Sequence, residues 1–248
     1  MNTAYILWLR QLKRYFRSKP RVIGSLAQPL LFLVSFGFGF GSIYQKAGNG
    51  NYMEFLAPGI ILMSVLFTAL FSGIDVIWDR QFGFLKETLA APVSRLSIMF
   101  GRTLGGATVA SIQGIVVFFL TLLVGFRPGS LILVLAGFGI MFLVAVMFTS
   151  LGTWIASTME DMQGFQLIMN FLVMPIFFLS GALFPTEEMP KFMLLIARIN
   201  PLSYGVDAIR GTLIGVSTYG IHLDMVVLLL VTAVFLVCGS YSFSKIQV

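Results

Sequence analysis

Six long apolar stretches divide this chain, and their spacing sets the expected architecture. A helix needs about 20 apolar residues to cross the hydrocarbon core of a bilayer. Stretches of that order run from Val22 to Ile43, Leu56 to Trp78, Ser97 to Phe126, Ser130 to Ala156, Phe165 to Phe184 and Met225 to Phe243. The pattern predicts an all-α integral membrane protein with six transmembrane helices, forming one domain over residues 1–248.

Two segments break this pattern. In residues 1–21, Tyr5, Trp8, Leu9, Leu12 and Phe16 fall on one helical face, and Arg10, Lys13, Arg14, Arg17 and Arg21 fall on the other. A basic face opposite a Trp/Phe/Leu face suits an amphipathic helix lying in the membrane interface. In residues 185–224, the run Pro185-Thr186-Glu187-Glu188 reads as a helix start with Thr186 as N-cap. A short apolar helix follows from Lys191 to Ile199, Asn200-Pro201 breaks it, and a second runs from Leu202 to Leu213. Each piece is too short to span, so the pair reads as a re-entrant helical hairpin between spans five and six. Such backbone must be buried in protein or line a water-filled cavity.

Composition agrees with a lipid solvent. Hydrophobic residues make up 58% of the chain and charged residues 10%, against about 25% charged in a soluble domain. The net charge of +6 is a matter of topology and does not point to nucleic acid, because no polar domain displays a basic face. The inner side collects Arg10, Lys13, Arg14, Arg17, Lys19, Arg21, Arg80, Lys86, Arg95, Arg102 and Lys245. The outer side holds Lys46, Arg127, Lys191, Arg198 and Arg210. Basic residues favour the cytoplasmic side, so both termini are expected there. No cleavable leader is expected, since the first apolar stretch is too long for one.

Candidate chemistry is sparse. Cys238 and His222 are the single residues of their kinds, so neither an intrachain disulfide nor a multi-Cys/His metal site is available. There is no G-x-x-x-x-G-K-[ST] phosphate loop and no hydrolase motif. Acids enter the spans only near their ends, at Asp75 and Asp224. That disfavours a cation-coupled transporter, which needs ionisable groups deep in its spans. A stand-alone channel or secondary transporter is nevertheless the alternative reading.

The inner loop of residues 79–95 is informative. Phe84, Thr88 and Ala91 share one face of a short helix that Pro92 should end. Phe82, Phe84 and Leu85 stand beside charges, as in a loop lying on lipid headgroups or a helix that docks a soluble partner. Small residues at four-residue spacing, Gly37/Gly41, Gly101/Gly105 and Gly106/Ala110/Gly114, allow close helix approach inside one subunit or between two. Ser64, Thr68, Ser72 and Asp75 form a polar stripe on the second span. With Gln28, Ser35 and Asn170 they either line a substrate path or bond within the bundle. Pro29 and Pro175 free backbone groups inside their spans. Phe177, with Phe165, Phe171 and Phe178, makes the fifth span a wall suited to apolar cargo or to lipid. Asp207 and Arg210 stand at i, i+3 and are placed to pair.

Four segments, FGFLKETLAAPVSR (82–95), GRTLGGATVASIQG (101–114), GFQLIMNFLVMPIFFLSGALFP (164–185) and NPLSYGVDAIRG (200–211), resemble the membrane subunit of type-2 ABC exporters, particularly the daunorubicin-resistance-like permeases. The resemblance implies a multi-pass permease of the cell membrane that pairs with a second copy. Each copy docks a cytoplasmic ATP-binding subunit, which binds ATP and magnesium; this chain binds no cofactor itself. It implies a coupling helix carrying Arg80, Phe82, Phe84, Leu85, Lys86, Glu87 and Arg95, with Arg14 and Arg17 along the ATPase and Glu160 and Asp161 in a second inner loop. It further implies an outer gate of Asn200, Pro201, Tyr204, Asp207 and Arg210. Gln28, Ser64, Thr68, Ser72, Asn170 and Phe177 are candidates for the path of an amphiphilic or hydrophobic substrate, whether drug, lipid or glycan.

Overall fold

The computed structural model describes residues 3–46, 51–90, 93–186 and 189–246. Among these the chain forms eleven helices and no strand: α1 Thr3–Arg17, α2 Lys19–Lys46, α3 Tyr52–Phe71, α4 Ile74–Gln81, α5 Phe84–Ala90, α6 Arg95–Val124, α7 Leu131–Ser157, α8 Met162–Phe178, α9 Lys191–Ile199, α10 Pro201–Ile214 and α11 Ile221–Ser244. Ala91, Pro92, Glu187 and Glu188, singled out from the sequence, lie outside the described residues.

Five segments are long and apolar enough to cross a membrane: residues 22–41 of α2, the α3–α4 pair, α6, α7 and α11. The sixth expected span, α8, has 17 residues, the short end of the crossing range. Its contacts show that it crosses the same layer as α3–α4. At its start, Glu160 Oε1 accepts from Arg80 Nη2 at 2.6 Å, and the Glu160 carbonyl accepts from Gln81 Nε2 at 2.9 Å. Beyond its far end, the Leu183 carbonyl accepts from Tyr52 Oη at 3.0 Å. The chain between Glu160 and Leu183 therefore covers the distance from Arg80 to Tyr52. The helix itself stops at Phe178, six residues short of the expected Phe184. The Leu179 amide turns back to the Pro175 carbonyl, and Gly181 takes a positive φ of 78°.

The second span is not continuous. Ser72 and Gly73 interrupt it because Gly73 meets α7 backbone to backbone. A Cβ on Gly73 would strike the Gly152 carbonyl, and one on Gly152 would strike the Leu70 carbonyl. The resulting pair is the centre of the bundle, with Leu56, Ile60, Leu62, Met63, Val65 and Leu66 all buried. α2 and α11, by contrast, turn most of their surface outward.

α1 has three faces where the sequence pattern distinguished two. Tyr5 and Phe16 are exposed on a side free for lipid, and Ile6 is exposed among the basic residues. Leu7, Gln11 and Tyr15 are buried against α6. Gly101 and Gly105 admit this contact: a Cβ there would lie 2.6 Å from the Ala4 carbonyl and 2.7 Å from Gln11 Cβ. Trp8 Nε1 donates to Thr108 Oγ1 at 3.0 Å, and the Tyr15 hydroxyl donates to Gln113 Oε1. Gly106 faces Ser72 and Thr149, Gly114 faces Val65 and Met141, and Gly37 faces Met53. At these positions the small-residue spacing serves packing inside one chain.

α9 and α10 meet at 84° and form the expected bent pair, with Asn200 as hinge. Asn200 Oδ1 caps α10 by accepting from Leu202 N at 3.0 Å, and Pro201 occupies the first helical position. Thr186 is not the N-cap of α9. Its carbonyl closes a turn with the Met189 amide, and the helix starts after Pro190.

Candidate functional site

One end of the bundle gathers most of the charge. Asp79, buried on α4, is held by two guanidinium groups. Arg10 of α1 grips it with a fork, Nη2 to Oδ1 at 2.7 Å and Nη1 to Oδ2 at 2.8 Å. Arg102 of α6 donates Nη2 to Oδ2 at 2.6 Å. Arg14 lies 3.3 Å from Asp75 and 3.8 Å from Asp79. The bidentate geometry is the strong form of a charged hydrogen bond. Asp79 raises the Arg10 guanidinium above its ordinary value, against the lowering effect of burial. The Arg10 guanidinium carbon also sits 3.7 Å over the Phe84 ring centroid, a cation–π contact with α5. One side chain thus joins α1, α4 and α5, and one carboxylate adds α6.

The expected docking residues separate into anchors and surface. Leu85 is completely buried and cannot touch a partner; it fixes α5 to the core. Phe84 is half-buried under Arg10, and Arg14 turns toward Asp75. Phe82 is 69% exposed, stacked on Trp78 with ring centroids 4.9 Å apart. Lys86 and Glu87 are exposed beside it. Arg17 is exposed and, with Lys13, Arg10, Arg14, Ile6 and Leu9, lines an open groove of about 440 Å³. Asp161 caps α8 through the Gln163 and Gly164 amides, and Glu160 pairs with Arg80. Arg95 binds the Ser244 and Ile246 carbonyls and ties the end of α11 to the start of α6.

The candidate path residues do not form one lining. Ser64 and Ser72 return their hydroxyls to the Ile61 and Ala69 carbonyls of their own helix. Phe177 is fully buried, edge-on to Phe32 at 6.0 Å. Gln28 and Thr68 do come together in a cleft of about 180 Å³ between α2 and α3, with Tyr15, Ser25, Met63, Phe67 and Phe71. Asn170 is exposed on α8, at the flank of its buried stripe of Phe165, Met169, Val173 and Phe177.

The α9–α10 hairpin is a set of pins. Asn200 Nδ2 donates to the Ile176 carbonyl at 2.6 Å, and Tyr204 Oη donates to the Arg198 carbonyl at 2.7 Å. The Asp207–Arg210 spacing does not decide where these groups go. Asp207 accepts from the Thr218 amide (2.7 and 3.0 Å), the Tyr219 amide (2.8 Å) and Ser217 Oγ (2.8 Å). Arg210 Nη2 donates to the Gly181 and Phe55 carbonyls at 3.1 and 3.3 Å, over the Phe55 ring. Asp207→Ala is expected to speed hydrogen exchange at the Thr218 and Tyr219 amides about tenfold or more, since each bond to a charged acceptor contributes roughly 1.5–3 kcal/mol. Exchange mass spectrometry of that loop checks this.

Among the described residues no group of three or more His, Cys, Asp or Glu could hold a metal ion. What this end offers is attachment: an exposed aromatic at the end of an anchored helix, tied by ion pairs to α1, to α6 and to Glu160 in the turn before α8.

The family model of ABC-2 type transporters matches residues 3–214, and the chain belongs to that family. It is a multi-pass permease subunit, and the family implies association with ATP-binding subunits. The chain is 35% identical over 201 residues to the transport permease ycf38 of Porphyra purpurea, covering 79% of this chain and 68% of the relative. It is 28% identical over 217 residues to the ycf38 permease of Cyanophora paradoxa, covering 85% and 73%. It is 29% identical over 196 residues to Nodulation protein J of Rhizobium leguminosarum bv. trifolii, covering 78% and 74%.

Proposed function

We propose that this chain is the permease of an ATP-driven exporter. It works as a homodimer in the cell membrane with both termini cytoplasmic, and moves an amphiphilic or hydrophobic substrate outward. The energy comes from separate subunits that bind ATP and magnesium. The observation that carries this reading is the α4–α5 turn. Phe82 stands clear of the surface while Leu85, one turn on, is locked in the core. A rigid exposed aromatic flanked by charges is what a protein interface uses as an anchor. A mobile lipid-bathed loop has no need of the Leu85 and Phe84 fixings. We assign Phe82, Lys86 and Glu87 as direct contacts for the ATP-binding subunit, with Arg17 and the Arg80–Glu160 pair beside them. Arg14 and Arg95 hold the surrounding helices.

Two features support a second copy. Leu167, Asn170, Phe171 and Phe178 are exposed along α8, and an amide turned to hydrocarbon is unfavourable. The α2–α3 cleft, about 180 Å³, falls below the roughly 300–1,000 Å³ of a drug-sized site. Both fit a path completed between two copies, with Gln28 and Thr68 on one wall and Asn170 near it. The α9–α10 hairpin, pinned by Asn200, Tyr204, Asp207 and Arg210, is assigned as the outer gate.

Phe82→Asp and Glu87→Arg are expected to leave membrane insertion intact and to weaken co-purification of the ATP-binding subunit about tenfold or more, the scale of an interface hot spot. Nucleotide-driven export falls with it. Unchanged co-purification and export in both variants would overturn the docking assignment. Flux through the chain alone, without nucleotide, would favour a channel.

A further inference from the structure

The Asp79 cluster contains three guanidinium groups, from Arg10, Arg14 and Arg102, and two carboxylates, from Asp75 and Asp79. Its members are unequal. The Arg102 side chain is 2% exposed, whereas that of Arg10 is 31% exposed. Among the described residues, Arg102 Nε and Nη1 have no hydrogen-bond partner. Asp79 is therefore the counter-charge on which Arg102 depends. Withdrawing Arg102 from Asp79 would strand a guanidinium in the protein interior, a strongly unfavourable outcome. Withdrawing Arg10 leaves a neutral Asp79–Arg102 pair and sends Arg10 toward water, at the edge of an open groove. Arg14, already 3.8 Å from Asp79, stands next to the vacated carboxylate oxygen. The joint that yields at low cost is the one made by Arg10.

Arg10 is also the member that touches α5. Its guanidinium carbon lies 3.7 Å over the Phe84 ring centroid while its nitrogens grip Asp79. A displacement of α5 moves the ring beneath that group. The planar fork fits the carboxylate in one orientation, so tilting it breaks the bidentate contact.

We propose that Arg10 is the detachable link through which movement of α5 reaches α4. With α5 at rest, Arg10 holds Asp79 against Arg102 and locks α1, α4 and α6 together. With α5 displaced, Arg10 releases Asp79, which remains with Arg102, and α4 is freed from α1 while α6 stays packed on α1 and keeps the Asp79–Arg102 pair. Arg10 is a positioning residue in this scheme. The inference rests on the reading that an ATP-binding subunit docks on α5.

The test uses the complete complex with its ATP-binding subunit in lipid nanodiscs, and needs no knowledge of the substrate. Hydrogen exchange in α9 and α10 is compared without nucleotide and after trapping with MgATP and vanadate. The variants are Arg10→Lys, which keeps the charge but loses the fork and the guanidinium over the ring, Phe84→Leu, which keeps apolar bulk but loses the ring, and the two combined. Each single variant is expected to retain the ATP-binding subunit and ATP hydrolysis. Each is expected to reduce the nucleotide-dependent exchange change by about fivefold or more, the lower end of ordinary coupling between sites. The double variant is expected to be no worse than either single one, because both break the same link. A full response in both single variants overturns the inference, and so does a double variant whose loss is the product of the two. Should Arg10→Lys fail to fold, Phe84→Leu alone decides. No exchange response in the unaltered complex would overturn the docking reading itself, and this inference with it.

Discussion

Asp79→Ala is expected to destabilise the chain by about 3–5 kcal/mol, the cost of leaving a buried ion without its partner. Three short bonds from two guanidinium groups end at this carboxylate, and Arg102 has nowhere to go: its residue is 3% exposed. Against a total stability of roughly 5–15 kcal/mol, a loss of that size should appear as low yield and a lowered thermal midpoint in detergent. Replacing both members, Asp79→Leu with Arg102→Met, should recover much of the loss, because a buried pair exchanged for packed apolar groups is often neutral. Arg10 can then reach water from its half-exposed position. Normal stability of Asp79→Ala alone would show that the cluster is not the interior ion site described.

Gly152→Val is expected to be comparably damaging, for a steric reason. The Gly152 Cα faces the Leu70 carbonyl, and the Gly73 Cα faces the Gly152 carbonyl, with no room for a Cβ on either. These obstacles are main-chain atoms of packed helices and cannot swing aside as a side chain would. Overpacking of this kind costs about 1–3 kcal/mol, occasionally more. Here it also levers α4 away from α7 and shifts Asp75 and Asp79 against their arginines. Gly24→Ala and Gly39→Ala are the controls. Neither would meet an atom within 4 Å, and both replace a helical glycine by a better helix former. They should be neutral or slightly stabilising in the same thermal measurement, while Gly152→Val loses stability.

The spans were legible in the sequence because lipid solvation demands only length and apolarity. The fourth expected span, 130–156, differs from α7 by one residue at each end, and Lys191–Ile199 forms as expected. Asn200-Pro201 announced the hinge because a capping side chain followed by Pro is a local signal. What stayed hidden depends on partners distant in sequence. The Ser72–Gly73 break is dictated by Gly152, and the buried stripe of α1 by Gly101 and Gly105 on α6. Neither is a property of the segment it shapes.

The same holds for the side chains. Arg102 was counted as a topology charge and Asp79 as the start of a loop, yet each is the other's partner. A signal existed in a basic residue and an acidic residue placed at the inner ends of consecutive spans, but only packing shows that they meet. Leu85 and Phe177 have the composition of contact residues and are interior. The polar stripe of the second span dissolved because serine in a helix can satisfy its hydroxyl on its own backbone. Asp207 and Arg210, adjacent on the α10 surface, are drawn in different directions by a loop and by two carbonyl groups.

The length of α8 has a consequence for the bilayer. Seventeen helical residues rise about 25 Å, whereas the hydrocarbon layer measures about 30 Å. Acyl chains alongside this helix must shorten or tilt, at a cost of fractions of a kcal/mol per ångström of mismatch. Lipid beside the exposed side of this helix meets a shorter helical column than it does beside the α3–α4 pair, α6 or α7.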